Sequence, residues 1–107
     1  MEKNKDILLK DNYSAIFVTC DLTAIYLIDF YLNHGINIPK DISIIGFDNI
    51  SFSELVRPRL TTIDHCHVEN GKLAAENLML KINNGKFKNK KFIIVPKLIE
   101  RDSVVKR

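Results

Sequence analysis

The sequence predicts an α/β fold built on a parallel sheet covered on both faces, a three-layer sandwich. Three observations carry that prediction. Short apolar, β-branched runs alternate with two long helical segments, the order expected of a parallel α/β sheet. The run over residues 42–47 is apolar almost without interruption, as a strand covered on both faces requires. Polar clusters stand directly after three of the predicted strands, the edge at which open α/β sheets bind ligands.

Taken in order, residues 2–10 read as the end of a helix whose beginning is absent, and Asp11-Asn12 as a turn. Residues 15–19 (AIFVT) form a short buried strand. Asp21 is placed to cap a helix over 22–34 that stops at Gly35. Only Thr23, Asp29 and Asn33 interrupt the apolar surface of this helix. A helix apolar nearly all round is covered on two sides, by its own sheet and by a second element or a second chain.

Residues 37–41 form a loop around Pro39. The second strand, 42–47, ends abruptly at Gly46-Phe47-Asp48-Asn49. Residues 48–59 form a loop, with one helical turn in SFSEL before Arg57-Pro58. Residues 60–63 form a third strand. A second long helix over 68–83 carries Gly71, Ala74, Ala75, Leu78, Met79 and Ile82 on one stripe, and Asn84-Gly85 ends it. Residues 88–91 form a charged linker, and 92–95 a fourth strand stopped by Pro96. The rest is a polar tail in which Leu98 and Ile99 can add a last strand.

The 107 residues hold one domain or part of one, with 46% apolar and 27% charged residues. Net charge is +3, and the lysine excess over 81–97 reads first as solvated surface, with a nucleic-acid contact as the alternative. Cys20 and Cys66 are too few for a disulfide framework. The first residues show no secretory signal, and no apolar run reaches the ~20 residues of a membrane span. The expectation is a cytoplasmic protein with reduced thiols and no membrane partner.

The three strand-end clusters are Cys20-Asp21, Asp48-Asn49 and Asp64-His65-Cys66-His67. A carboxylate such as Asp48 accepts two hydrogen bonds from neighbouring hydroxyls, which suits a sugar or polyol; it can equally close a turn. Asp21 reads first as a helix cap and Cys20 as a small buried filler. His65 and His67 alternate and could face a metal, but no second cluster answers them. Neither a phosphate-binding glycine loop nor a nucleophile elbow occurs. No cofactor or metal is expected, and an enzyme has no positive support. A small metal- or thiol-dependent enzyme using Asp48, Cys66 and the two histidines is the reading left from that class.

The string Ile38-Pro39-Lys40-Asp41-Ile42-Ser43-Ile44-Ile45-Gly46-Phe47-Asp48-Asn49 resembles the lactose-repressor/galactose-repressor family of bacterial transcription regulators. So do Pro58-Arg59-Leu60-Thr61-Thr62-Ile63 with Gly71 and Ala74, Pro96-Lys97-Leu98-Ile99-Glu100-Arg101-Asp102-Ser103, and residues 15–21 with Ala24. The likeness spans about residues 13–103, in order and spacing.

The resemblance implies a partial periplasmic-binding-protein-like fold. The whole chain, 1–107, then corresponds to the carboxy-terminal part of an effector-binding and dimerising domain, without the helix-turn-helix or the first lobe. It implies a small-molecule effector, sugar-like, contacted at Asp48, with Cys20, Asp21, His65, His67 and Phe47 around it. Cys20 falls where many sugar-responsive members have asparagine, and His65 where several have glutamine. It implies a homodimer interface on the 22–34 helix and the loop beside it, at Leu22, Ile25, Tyr26, Asp29 and Phe52. DNA would be contacted only through the missing amino-terminal domain. Helix 68–83 would belong to the missing first lobe and strand 92–95 would return to the second. The alternative of the same fold is a sugar-binding protein of a transport system.

Overall fold

A computed structural model describes residues 5–10 and 12–106. The predicted helix over 2–4 and Asp11 of the predicted turn lie outside the described residues. The element order is α1 (Lys5–Lys10), β1 (Ala15–Phe17), α2 (Asp21–Asn33), β2 (Ser43–Phe47), α3 (Phe52–Leu55), β3 (Thr61–Asp64), α4 (His67–Asn84) and β4 (Lys97–Ile99). The sheet runs β1-β2-β3-β4. The first three strands are parallel, with Ile16 beside Ile44 and Ile45 beside Thr61. β4 runs antiparallel to β3, with Leu98 opposite Ile63. The α/β alternation is therefore as predicted, with an antiparallel last strand on an otherwise parallel sheet.

One face of the sheet carries the core. Ala24, Leu27, Ile28 and Tyr31 of α2 pack on Ile44 and Leu60, with Ile38 and Ile42 closing the end. Each such aliphatic side chain contributes roughly 1.5–3 kcal/mol by leaving water. The Tyr31 hydroxyl donates to the Leu8 carbonyl at 3.2 Å, which ties α1 to the same core. Burial pushes the Tyr31 phenol above its ordinary pKa. His34 caps α2, and Gly35 follows with φ 75°, a left-handed turn that glycine adopts without a Cβ penalty.

Residue parity along the strands puts Phe17, Ile45, Phe47 and Ile63 on the opposite face. The carboxy-terminal tail covers part of it. Ile45, Leu98, Val104 and Val105 line a groove of about 350 Å³ there. Phe17 is half-exposed at the outer strand.

Ser103 is the residue that fastens the tail. Its hydroxyl donates to the Ile44 carbonyl at 2.6 Å and accepts the Thr61 N–H at 2.8 Å, while its own carbonyl accepts the Ile44 N–H at 2.9 Å. It is fully buried between the starts of β2 and β3. Arg59 and Asp102 reinforce the same junction through paired bonds of 2.7 and 3.1 Å. The region read as a polar tail thus supplies the edge strand β4 and, beyond it, a buried tie between β2 and β3.

One other expectation changes. The predicted strand over 92–95 is not a strand: Phe92, Ile93 and Val95 are exposed and have no ladder partner among the described residues. A β-branched run supplies side chains for a strand, but a strand also needs a neighbour's backbone. The apolar stripe of α4 is likewise bare. No residue of this helix is buried, and Val68, Leu78, Met79 and Ile82 face water. The molecule is accordingly elongated, 59 × 29 × 22 Å.

Candidate functional site

β2 and β3 end side by side, so the residues that follow them meet. Asp48 and Asn49 leave β2 with φ 120° and 55°, and Cys66 follows β3 with φ 56°. Non-glycine residues at positive φ cost of order 1–3 kcal/mol each and persist where their surroundings hold them. Here hydrogen bonds do so. The Asp48 N–H donates to the Ile63 carbonyl at 2.9 Å. The Asn49 side-chain amide donates to Asp64 at 3.0 Å, and the Cys66 N–H donates to the other Asp64 oxygen at 2.7 Å. The bonds from Cys66 and then Asn49 hold the Asp64 carboxyl below the usual carboxylate range.

On that frame the side chains form a small polar and aromatic surface. The His65 ring stacks on Phe47, with centroids 5.5 Å apart and planes 8° from parallel. Its Nε2 lies 3.4 Å from an Asp48 oxygen. The His67 ring is 5.6 Å from that of His65, tilted by 52°. Four of the predicted site residues, Phe47, Asp48, His65 and His67, are therefore adjacent. Asp48 and His65 are partly open to solvent, as a binding surface must be.

Asp21 has a different place from the one expected. It is the first residue of α2 rather than its cap, and Cys20 holds the cap position without a side-chain bond to the helix. The Asp21 carboxylate is fully buried. It accepts the Thr62 hydroxyl at 2.5 Å on one oxygen and the Ile50 N–H at 3.0 Å on the other. So Asp21 joins α2, the β2–α3 loop and β3 from beneath the site. Gly46 leaves it room: a Cβ there would collide with the Asp21 carboxylate and come within 2.9 Å of the Leu60 side chain. Cys20 is half-buried at the head of α2.

Residue patterns also missed Arg101. Its guanidinium bonds Asn49 at 2.8 Å, Glu54 at 2.9 Å, the Leu60 carbonyl at 2.9 Å and Ser53 at 3.1 Å. These partners lie 41–52 residues away in sequence, so no local spacing announces them. Among the described residues no three His, Cys, Asp or Glu side chains converge on a metal position.

The outer side of α2 lies beside α3. Tyr26 is 60% exposed and Phe52 65%, with Leu22 and Leu55 also in water. Ile25 is half-buried against the core, and Asp29 is exposed and bonded by Asn33 at 3.0 Å. Ile25, Tyr26, Leu32 and Val56 border a shallow groove of about 300 Å³. The two-sided apolar character of the helix is thus half satisfied within the described residues.

The fold is an α/β sheet that carries a polar and aromatic surface at its strand ends. The model of the periplasmic binding protein-like domain matches residues 2–104, and the chain belongs to that family. It is 38% identical over 101 residues to the HTH-type transcriptional repressor PurR of Photobacterium profundum, covering 94% of this chain and 30% of that protein. It is similar to the structure of a periplasmic binding protein/LacI transcriptional regulator from Alkaliphilus metalliredigens complexed with D-xylulofuranose. That match has 36% identity and a TM-score of 0.79, over 99% of this chain and 39% of that one. A LacI family regulator from Enterococcus faecium with bound ribose matches at 30% identity and a TM-score of 0.82, over 95% and 38%. The chain thus spans about a third of the length of the relatives it matches. These relatives are transcription regulators, not enzymes, which sets the enzyme alternative aside. Among the described residues no helix is long and apolar enough to cross a membrane.

Proposed function

We propose that this chain is the effector-sensing and dimerising portion of a cytoplasmic transcription regulator, with the remaining lobe and the DNA-binding domain supplied by the rest of such a protein. The observation that supports it most is the adjacency of Asp48, His65 and Phe47 at the strand ends. Asp48 is the acceptor for two neighbouring hydroxyls of a sugar-like effector. The stacked Phe47 and His65 rings offer a flat wall for its apolar face, and His67 extends the rim. Cys20 and Asp21 stand behind this surface, Asp21 as a positioning residue. The sugar-complexed relatives support a sugar-like ligand.

In this reading the effector closes two lobes around itself. It favours one arrangement of the lobes because it binds that arrangement better, and so shifts operator affinity. The α2–α3 face, with Leu22, Ile25, Tyr26, Asp29 and Phe52, pairs with a second copy. Helix α4 belongs to the first lobe, whose sheet would cover its bare stripe.

The test uses the regulator expressed from its full reading frame and a panel of pentoses and hexoses. One of them is expected to raise the melting temperature and to change operator affinity, and Asp48→Ala is expected to lose both responses while still binding operator. An Asp48→Ala variant that responds as the wild type does would overturn the site.

A further inference from the structure

From Asn77 to Ile99 the chain carries six lysines and no aspartate or glutamate. Five of them, Lys81, Lys86, Lys88, Lys90 and Lys91, fall within eleven residues at the far end of α4. In sequence this looks like a solvated linker. The structure folds it into a compact strap. Asn77 of α4 accepts the N–H groups of Lys88 and Asn89 at 3.1 and 3.4 Å and donates to the Asn89 carbonyl at 2.8 Å. Lys81 donates to the Gly85 carbonyl at 2.8 Å and lies 5.3 Å from the centre of the Phe87 ring. The chain between Gly85 and Phe92 is thereby turned back along the helix, and the lysines are all exposed.

We propose that this strap docks on the phosphate backbone of double-stranded DNA. Three observations favour that partner. The charge is of one sign and concentrated: Glu76 is the single carboxylate bordering the strap groove, among Leu73, Asn77, Leu80, Lys88, Asn89 and Phe92. The lysines end in flexible point charges, which suit phosphates rather than base edges. The strap carries two aromatic rings, Phe87 beside Lys81 and Phe92 at the groove, both half-exposed and five residues apart, too few to stack the successive bases of a single strand. An 18-residue α4 spans about 27 Å. The bend at Gly85 is therefore at the end of α4 away from the strand-end site, and the strap returns from it as far as Asn77 and Leu73. It adds a sequence-independent contact inside a chain whose relatives are helix-turn-helix regulators.

The experiment uses the 107-residue chain and a fluorescein-labelled 30-base-pair duplex of arbitrary sequence, followed by anisotropy across a salt series. Four phosphate contacts predict a log–log salt slope of about −3.6, or a loss of roughly 100-fold in affinity from 50 to 200 mM salt. Replacing Lys86, Lys88, Lys90 and Lys91 together by Gln is expected to weaken binding at least ~10-fold and to flatten the slope, with the circular dichroism spectrum unchanged. A control variant, Lys10→Gln with Lys40→Gln, Lys72→Gln and Lys106→Gln, removes the same charge elsewhere and should bind as the wild type does. No duplex binding at 20 mM salt overturns the proposal. So does equal loss in the control, which would mean net charge alone. Binding to vesicles of 30% phosphatidylserine without binding to the duplex overturns it in favour of a membrane surface. None of these outcomes depends on Asp48, so they are separable from the effector reading.

Discussion

Arg101 binds the side-chain oxygen of Asn49 at 2.8 Å across 52 residues of sequence. One guanidinium thus holds the left-handed turn after β2 and, through Glu54 and Ser53, the short helix α3. The Arg101 side chain is only 7% exposed. Removing it leaves buried acceptors without donors. Arg101→Leu is expected to destabilise the fold by about 2–3 kcal/mol, read as a lower urea midpoint. Arg101→Lys should recover only part of that, because one ammonium cannot span the same four partners.

Gly46 and Asp21 occupy one another's space. Gly46→Ala is expected to lower stability by about 1–3 kcal/mol, since a buried carboxylate and Leu60 must both move. Thr62→Val removes the hydroxyl that Asp21 accepts and should weaken the fold by a similar ~1–3 kcal/mol. Cys20→Ala, by contrast, breaks no cap bond and should stay within about 0.5 kcal/mol of wild type. Thermal unfolding of the three variants would separate these cases, and a Gly46→Ala protein as stable as wild type would contradict the packing described.

Two carboxylates are held below their ordinary range. Asp64 is held low by the Cys66 N–H and the Asn49 amide, and Asp102 by the Arg59 guanidinium. A folded-state pKa below the unfolded one adds stability at neutral pH, and that stability is lost as pH falls through the folded value. The urea midpoint should therefore decline from about pH 4 downward. In Asp64→Asn combined with Asp102→Asn the midpoint should be lower at pH 7 and its acid decline shallower; a decline as steep as in wild type would point to other groups.

Tyr26 and Phe52 share the exposed α2–α3 face. If that face pairs two copies, Tyr26→Lys with Phe52→Glu should yield a monomer in sedimentation velocity at a concentration where the wild-type chain is dimeric. A wild-type chain that is monomeric at high concentration removes the assignment.

The order of the first three strands and the two long helices, the stop at Gly35 and the turn at Phe52–Leu55 were legible in the sequence, because each rests on contacts within a few residues. The site was half legible. Asp48, His65 and His67 follow strands, and parallel strands must end on one edge, so periodicity alone brought them near each other. Residues 92–95 show the opposite case: their composition favours a strand, but hydrogen-bond partners decide strands, and none is present among the described residues.

By itself, then, the sequence determined an α/β chain with a polar strand-end edge and a helix apolar on both sides, since hydrophobic period and turn chemistry are local properties. Only the tertiary structure decided which polar residues contact a ligand surface and which support it. Asp21 passed from helix cap to buried tie, Ser103 from tail to strand junction, and Arg101 from unremarked residue to the clamp on Asn49. Each of these rests on bonds between residues 29–59 apart in sequence, a distance at which side-chain chemistry is visible in the sequence but its partner is not.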